Sequence, residues 1–341
     1  MPLYKRRGKI KMTDELIKQN NKLEFNRLKN FPISFLAISL GLIGFTLAWQ
    51  KAEHILKLPF ILSNYLLYFT ITITGFIFLI YFIKIIKFPE EVKKEFNHPI
   101  KLNFYPILAK LFLISSIIYL GLNMIISKYL WWIGVVVQFV FTIIIMSSWI
   151  RHEKFEIHHI NPSWFIPVVG CILIPIAGVK HFSPELSWFF FSIGFFWWLI
   201  LTTLVMNRVI FHHPIPDKLI PTFFILFAPP IIGFISLTKL LGGLNPFGNL
   251  LYYFGAFMFI LILFQYKMFS KIKFYLSWWA YSFPMDALII GTFLMYSESG
   301  LFFFKIVSWI LFVLLNIIIV MLCIKTIKAI KNKEICVEEE E

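Results

Sequence analysis

Ten apolar segments, each roughly 20 residues long, dominate this chain of 341 residues. An α-helix rises about 1.5 Å per residue, so a segment of this length crosses the ~30 Å hydrocarbon core of a bilayer. Hydrophobic residues make up 59% of the chain, which leaves too little polar surface for a water-soluble protein. The sequence therefore predicts an all-α integral membrane protein with ten transmembrane helices, at residues 31–49, 62–86, 105–126, 129–150, 163–179, 186–207, 219–237, 249–266, 276–296 and 301–324.

The formal net charge of +14 is typical of nucleic-acid binders, but the positions of the charges indicate a membrane orientation instead. Of the 32 lysines and arginines, 25 lie on the side that holds the N-terminus, one (Lys110) lies inside the third span, and six lie on the opposite side. By the positive-inside rule, this predicts a multi-pass protein of the plasma or inner membrane with both termini cytoplasmic, facing anionic lipid headgroups rather than nucleic acid. The six lysines on the outer side are Lys51, Lys57, Lys128, Lys180, Lys239 and Lys305.

The charge pattern also divides the chain into three parts. We expect a basic cytoplasmic N-terminal arm at residues 1–30, a membrane domain at residues 31–324, and a cytoplasmic tail at residues 325–341 that turns from basic to acidic. The spacing of Cys171, Cys323 and Cys336 suggests neither a disulfide nor a metal framework, so no cofactor is predicted.

Prolines alternate along the predicted spans. The odd spans carry them within or at the edge of the span, and the even spans carry none in their interiors. Because a proline in a membrane helix frees a backbone carbonyl and bends the helix, this alternation predicts five helical hairpins that close into a ring, with bent odd helices around a central pore and plain even helices outside. The alternative is the ordinary proline frequency of membrane helices. The prolines of the odd spans are Pro32, Pro106, Pro162, Pro167, Pro175, Pro221, Pro229, Pro230 and Pro284.

The ninth span holds the most informative local pattern, Phe283-Pro284 followed by Asp286. A proline and a carboxylate are tolerated at membrane depth most easily where they line a cavity. Phe283 and Asp286 lie three residues apart on one helix, roughly 60° around it and ~4.5 Å along it, so both can face one lumen. Two interpretations of Asp286 stay open: a structural carboxyl, either paired with Lys110 or Arg208 or kept neutral by burial, or a proton site coupled to anion movement.

The stretch 278–285, Trp-Trp-Ala-Tyr-Ser-Phe-Pro-Met, resembles the ninth-helix motif of the family that joins bacterial TehA tellurite-resistance proteins, plant slow-type anion channels and fungal malate and sulfite transporters. The first span, from Phe31-Pro32 through Gly41 to Trp49, is similar to that family's first helix, and residues 89–99 and 161–167 fit less specifically. The resemblance implies a homotrimer with one pore per subunit. It also implies that Phe283 closes the pore as a gate and that Gly41 makes room in the first helix. Asp286 departs from the uncharged residue that is usual in plant members.

These observations favour a gated channel for small, monovalent anions, with Phe283 as the gate. Asp286 and Lys110 are candidate proton or selectivity sites. The candidate pore-lining or kink positions are Gly41, Pro167, Pro229, Pro230 and Pro284. The alternative is a proton-coupled transporter of small oxyanions or C4-dicarboxylates, such as sulfite, tellurite or malate. A dicarboxylate site would be expected to use an arginine clamp, and no arginine lies mid-span.

A remote alternative is a histidine-iron membrane enzyme. Such enzymes hold iron with more histidines than this side of the chain offers, at regular helical spacings, and the six-residue step from His152 to His158 does not place both on one helix face. We therefore expect no enzymatic activity. The five histidines on the predicted cytoplasmic side are His152, His158, His159, His212 and His213.

Overall fold

The computed structural model describes residues 27–151 and 154–337. Within these ranges every regular element is helical, and nine helices are long and apolar enough to cross a membrane, which confirms an all-helical membrane protein. The helix Ser282–Ser299, which holds the ninth predicted span, is not among the nine. Apart from residues 27–30, the predicted basic arm lies outside the described ranges.

Ten long helices follow one another along the described chain, and we number them in order. The odd helices begin at one end of the bundle, which we call the basic end and which the charges predict to be cytoplasmic; the opposite end is the far end. A short helix, Pro89–Asn97, follows α2, and another, Tyr266–Ser270, follows α8. The ten are α1 (Leu36–Leu56), α2 (Ser63–Lys87), α3 (Ile107–Tyr119), α4 (Met124–Arg151), α5 (Ile166–His181), α6 (Pro184–Phe211), α7 (Ala228–Leu241), α8 (Pro246–Phe264), α9 (Ser282–Ser299) and α10 (Phe302–Lys331).

The odd helices form a closed inner ring. Helix α1 packs against α3, α3 against α5, α5 against α7, α7 against α9, and α9 returns to α1, while each even helix packs against the odd helix before it. The spans that contain α1, α3, α5 and α7 are 78%, 67%, 94% and 83% buried, whereas the even spans are between 22% and 39% buried. The predicted arrangement of five hairpins, with odd helices inside, is confirmed by these contacts.

Every odd helix is preceded by a 3₁₀ segment, and no even helix is. Four of the nine odd-span prolines lie in the first turn of an inner α-helix, just after its 3₁₀ segment: Pro167 is the second residue of α5, Pro229 and Pro230 are the second and third of α7, and Pro284 is the third of α9. A first-turn proline is well tolerated because the N–H that it lacks would have no helical partner. These four prolines therefore mark helix starts inside the bundle, where the sequence had suggested bends. The 3₁₀ segments are Ile33–Phe35, Lys101–Phe104, Pro162–Phe165, Asp217–Leu226 and Leu276–Tyr281.

Side chains from the outer helix α4 hydrogen-bond to the backbone of α5. The Gln138 amide and the Thr142 hydroxyl both donate to the carbonyl of Pro167, at 2.6 and 3.0 Å, and the Trp131 indole N–H donates to the carbonyl of Ile174 at 2.9 Å. All three donors are buried, and a buried side-chain donor left without an acceptor would be costly at membrane depth. Helix α4 therefore stabilises the irregular start and the proline-containing middle of α5.

A buried ion pair fixes the start of α1 at the basic end. Glu95, on the short helix Pro89–Asn97, accepts hydrogen bonds from the backbone N–H of Ile33 at 2.7 Å, from the Tyr81 hydroxyl at 3.0 Å and from the Lys84 ammonium at 2.9 Å. Lys84 also donates to the carbonyl of Phe31 at 2.8 Å. The Glu95 carboxylate thus caps the segment that leads into α1, a favourable place for a negative charge. We call these five residues the basic-end clamp.

Two glycines bring α1 against α9. A Cβ atom added to Gly41 would lie 2.0 Å from the Ser282 hydroxyl oxygen, and one added to Gly44 would lie 2.3 Å from Asp286 Oδ2. Both distances are far below van der Waals contact, so only glycine fits at these positions. This contact closes the ring between its first and last inner helices.

We predict that Glu95→Gln lowers the free energy of unfolding by about 3 kcal/mol, because it leaves the Lys84 ammonium buried without its counter-charge. Thermal or denaturant unfolding of the purified protein in detergent measures this change. Glu91→Gln is the matched control, because Glu91 pairs with the exposed Lys94 and its loss should cost less than about 1 kcal/mol. Equal losses for the two variants would show that the clamp contributes no more than a surface pair.

We also predict that Gly44→Ala destabilises the fold by about 2 kcal/mol through overpacking against Asp286. The penalty should be smaller in an Asp286→Ala background, which removes the clashing carboxyl; unfolding of the four proteins of this double-mutant cycle measures the coupling. Gly75→Ala is the control, since nothing lies within 4 Å of a Cβ added there. Additive effects of the two substitutions would contradict the contact between these residues.

Candidate pore and gate

The interior of the ring is closely packed. Every residue at positions 38–49 of α1, 161–178 leading into and through most of α5, and 226–238 of α7 is buried. The side chains of the inner helices therefore fill the interior over these stretches, and a conduit along the ring axis is closed in this conformation.

Phe283 lies on a partly exposed stripe of α9. Helix α9 packs against α1 and α7 within the ring and against α10 outside it. Phe283, Ile290 and Leu294 keep partial exposure, whereas Pro284 and Met285 are buried. The three partly exposed residues are spaced by seven and four positions, so they form one stripe along the helix. The stripe gives α9 a partly exposed apolar face with a phenylalanine near its start.

Asp286 is completely buried beside this face. Its exposure is 0%, and neither carboxyl oxygen has a hydrogen-bond partner in the described part of the protein. Pairing with Lys110 or Arg208, one of the structural interpretations of the sequence, is wrong because neither forms an ion pair with Asp286 in the structure. The nearest recorded contact of the carboxyl is with the backbone at Gly44. An ionised carboxylate without donors in such a place is strongly unfavourable.

Lys110 lies elsewhere, between α3 and α5. Its side chain is buried, and its ammonium donates to the carbonyl of Ile166, the first residue of α5. Arg208, near the end of α6, is also buried and donates to the carbonyl of His213. Both basic groups therefore contact backbone oxygen atoms. The structure does not bring Lys110 and Asp286 together, so the two candidate titratable positions belong to different helix contacts.

The candidate pore residues thus fall into two groups. At the contact between α1 and α9, Gly41 faces Ser282 and Trp279, and Asp286 faces Gly44. Phe283 and Pro284 lie in the same first turn of α9. Pro167, Pro229 and Pro230 lie at the starts of α5 and α7, and all three are buried. Sequence reasoning missed the basic-end clamp and the bonds of Gln138. No local sequence signal points to the clamp, because Glu95 and Ile33 are separated by 62 residues.

Lysines lie near the far ends of three inner helices, with Lys180 in the last turn of α5. Lys51 is near the end of α1 and partly buried, and Lys239 is near the end of α7 and exposed. They are close enough to interact electrostatically, and neither forms an ion pair with another described residue. The Glu53 carboxylate near Lys51 instead accepts hydrogen bonds from Leu62 and Ser63. The unneutralised lysines give the far mouth of the ring a positive potential.

The histidines of the basic end are spread over two connections. His158 and His159 lie between α4 and α5, while His212 and His213 follow α6; His152 lies outside the described residues. Partial burial and the neighbouring His158 lower the pKa of His159, against the opposing effect of Glu156. In the described part of the chain no three or more histidine, cysteine, aspartate or glutamate side chains come together as a metal site.

Comparison with known proteins places the ring in a family. Residues 30–327 match the family model SLAC1, described as voltage-dependent anion channel. An uncharacterized transporter of Methanocaldococcus jannaschii is 29% identical over 339 residues, which cover 90% of this chain and 97% of the relative. The S-type anion channel SLAH2 of Arabidopsis thaliana is 27% identical over 80% of this chain and 54% of its own length.

A bacterial relative completes the comparison. The tellurite resistance protein TehA homolog of Haemophilus influenzae is 23% identical over 316 residues, covering 91% of this chain and 94% of its own length. The matches extend over the inner and outer helices together, from the start of α1 to the end of α10. The resemblance seen in the first and ninth spans is confirmed, and the chain belongs to the SLAC1 family of voltage-dependent anion channels and their transporter relatives.

Proposed function

We propose that this protein is a gated channel for small, monovalent anions, with Phe283 as the gate. The observation that carries the proposal is the partial exposure of Phe283 near the start of α9, the helix that closes the ring. The proposal takes this partly exposed stripe of α9 as the one that faces the pore. An apolar ring at a narrow point blocks ions because a hydrophobic constriction excludes the water that accompanies them. Both termini are proposed to be cytoplasmic, as the positive-inside rule predicts.

The charges of the ring support an anionic substrate. Lys51 and Lys239 give the far mouth a positive potential, which raises the local concentration of anions. Lys110 is buried among the inner helices, where its ammonium donates a hydrogen bond to the Ile166 carbonyl, so it is not available to bind an anion. Weak binding along the path suits rapid conduction, because a tightly held ion does not leave. The S-type anion channels among the relatives agree with this substrate class.

The contact between α1 and α9 supports the assignment of the gate. The start of α9 is held against α1 through Gly41 and Gly44, so α9 has little room to move on that side. Opening then requires rotation of the Phe283 ring or a shift of the first turn of α9 relative to its 3₁₀ segment. The junction between the 3₁₀ segment and α9 can act as a hinge, because fewer backbone hydrogen bonds must break at this junction than within a regular helix.

A second candidate function is proton-coupled transport of small oxyanions or dicarboxylates. The unpartnered carboxyl of Asp286 favours it, because a buried acid next to the partly exposed stripe of α9 could carry a proton together with an anion. A tellurite resistance protein is also among the relatives. The two candidates differ in one measurable respect: a coupled transporter moves protons with its anion, and a channel does not.

We predict that Phe283→Ala raises anion flux into liposomes roughly tenfold or more, because the substitution removes the apolar obstruction. Flux is measured with a halide- or nitrate-driven assay on purified, reconstituted protein. Phe303→Ala is the matched control, since Phe303 lies on the outer helix α10 and is 65% exposed toward the membrane. The gate assignment fails if the folded Phe283→Ala protein conducts no more than the control.

For the channel, we further predict that anion flux creates no pH gradient across the liposome membrane. We also predict that the Asp286→Asn variant keeps the anion flux of the wild type. A pH-sensitive dye trapped in the liposomes, read together with anion uptake, makes this measurement. Internal acidification or alkalinisation that depends on the anion and disappears in Asp286→Asn would instead establish the coupled transporter, with Asp286 as its proton site.

A further inference from the structure

A groove runs along the outside of the ring between α2 and α10. These two outer helices both flank α1, and the buried side chains of Leu42 and Phe45 on α1 form the floor of the groove. Phe69 and Thr70 of α2 form one wall. The other wall is α10, through Ile319, Val320, Cys323, Ile324 and Ile327.

The groove is apolar along its whole length. Its hydroxyl group, that of Thr70, is turned into the protein, where it donates to the Leu42 carbonyl at 3.4 Å and shares a hydrogen bond with Thr46 at 3.2 Å. Thr70 itself is only 2% exposed. Because no polar group in the groove is free to form a hydrogen bond with water, the groove does not favour water at membrane depth, and a hydrocarbon chain is the occupant that fits it.

Lysines continue the α10 wall beyond the groove. Lys328 follows Ile324 by four residues and Lys331 follows Ile327 by four, so each lies one turn further along the same stripe toward the basic end. Both lysines are exposed, and neither forms an ion pair with another described residue. From Ile319 to Lys331 the helix rises roughly 18 Å, close to the ~15 Å depth of one hydrocarbon leaflet.

We propose that this groove binds a phospholipid with an anionic headgroup, its acyl chain lying along the α10 wall and its phosphate between Lys328 and Lys331. The length of the wall, its apolar lining and the position of the charges all match one lipid of the leaflet at the basic end. The site is on the outside of the ring, so the proposal does not depend on what the ring conducts.

Native mass spectrometry of the detergent-purified protein tests the site. Dioleoyl phosphatidylglycerol and dioleoyl phosphatidylcholine are added separately at equal concentrations, and the retained lipid is counted. We expect the wild type to retain phosphatidylglycerol about tenfold more tightly than phosphatidylcholine, because each lysine near the headgroup favours the anionic lipid. Lys328→Gln with Lys331→Gln should remove this preference, and Cys323→Trp, which fills the groove, should reduce retention of both lipids.

Lys267→Gln with Lys271→Gln is the matched control. It removes two exposed charges from the basic end, beyond α8, a helix that does not line the groove, and it should retain lipid as the wild type does. The proposal is overturned if the wild type holds the two lipids equally, if the control loses as much preference as the test variant, or if Cys323→Trp changes nothing. A groove covered by a second copy of the chain, seen as an oligomer that protects Cys323 from maleimide after delipidation, also overturns it.

Discussion

The need to satisfy every backbone polar group inside a membrane governs this structure. The inner helices begin as 3₁₀ segments and carry the prolines, so their backbones alone cannot complete a regular hydrogen-bond ladder. Neighbouring side chains add hydrogen bonds to these backbones: Gln138 and Thr142 to the Pro167 carbonyl, Lys110 to the Ile166 carbonyl, and Glu95 to the Ile33 N–H. Polar groups that look functional in a hydrophobic sequence are here largely structural, because they hold irregular inner helices between regular outer ones.

Asp286 is the exception to this pattern. It lies as deep as the groups that support the backbone, yet neither of its oxygens has a donor in the described structure. Its carboxyl takes up the space that Gly44 leaves on α1, one helical turn beyond Phe283. A side chain that contributes no hydrogen bond has no structural role of the kind that explains Lys110. Asp286 is therefore a buried polar residue whose presence is not explained by support of the helix backbones.

The two faces of α1 link the interior and the exterior of the ring. One face meets the start of α9 through Gly41 and Gly44, and the other forms the floor of the groove between α2 and α10 with Leu42 and Phe45. The basic-end clamp holds the beginning of the same helix through Ile33. A single helix thus contacts the helix that carries the proposed gate, the proposed lipid and a buried ion pair.

The sequence by itself determined the membrane class, the span positions to within a few residues, and the division into inner and outer helices, because apolar length and proline content are properties of a single segment. Through a motif shared with a family, it also predicts roles for Phe283 and Gly41. Only the tertiary structure decided that four of the prolines mark helix starts, that Lys110 bonds to a carbonyl rather than to Asp286, and that Glu95 caps the segment leading into α1. Those outcomes depend on which helices become neighbours, and ring closure brings together residues as distant along the chain as Gly44 and Asp286.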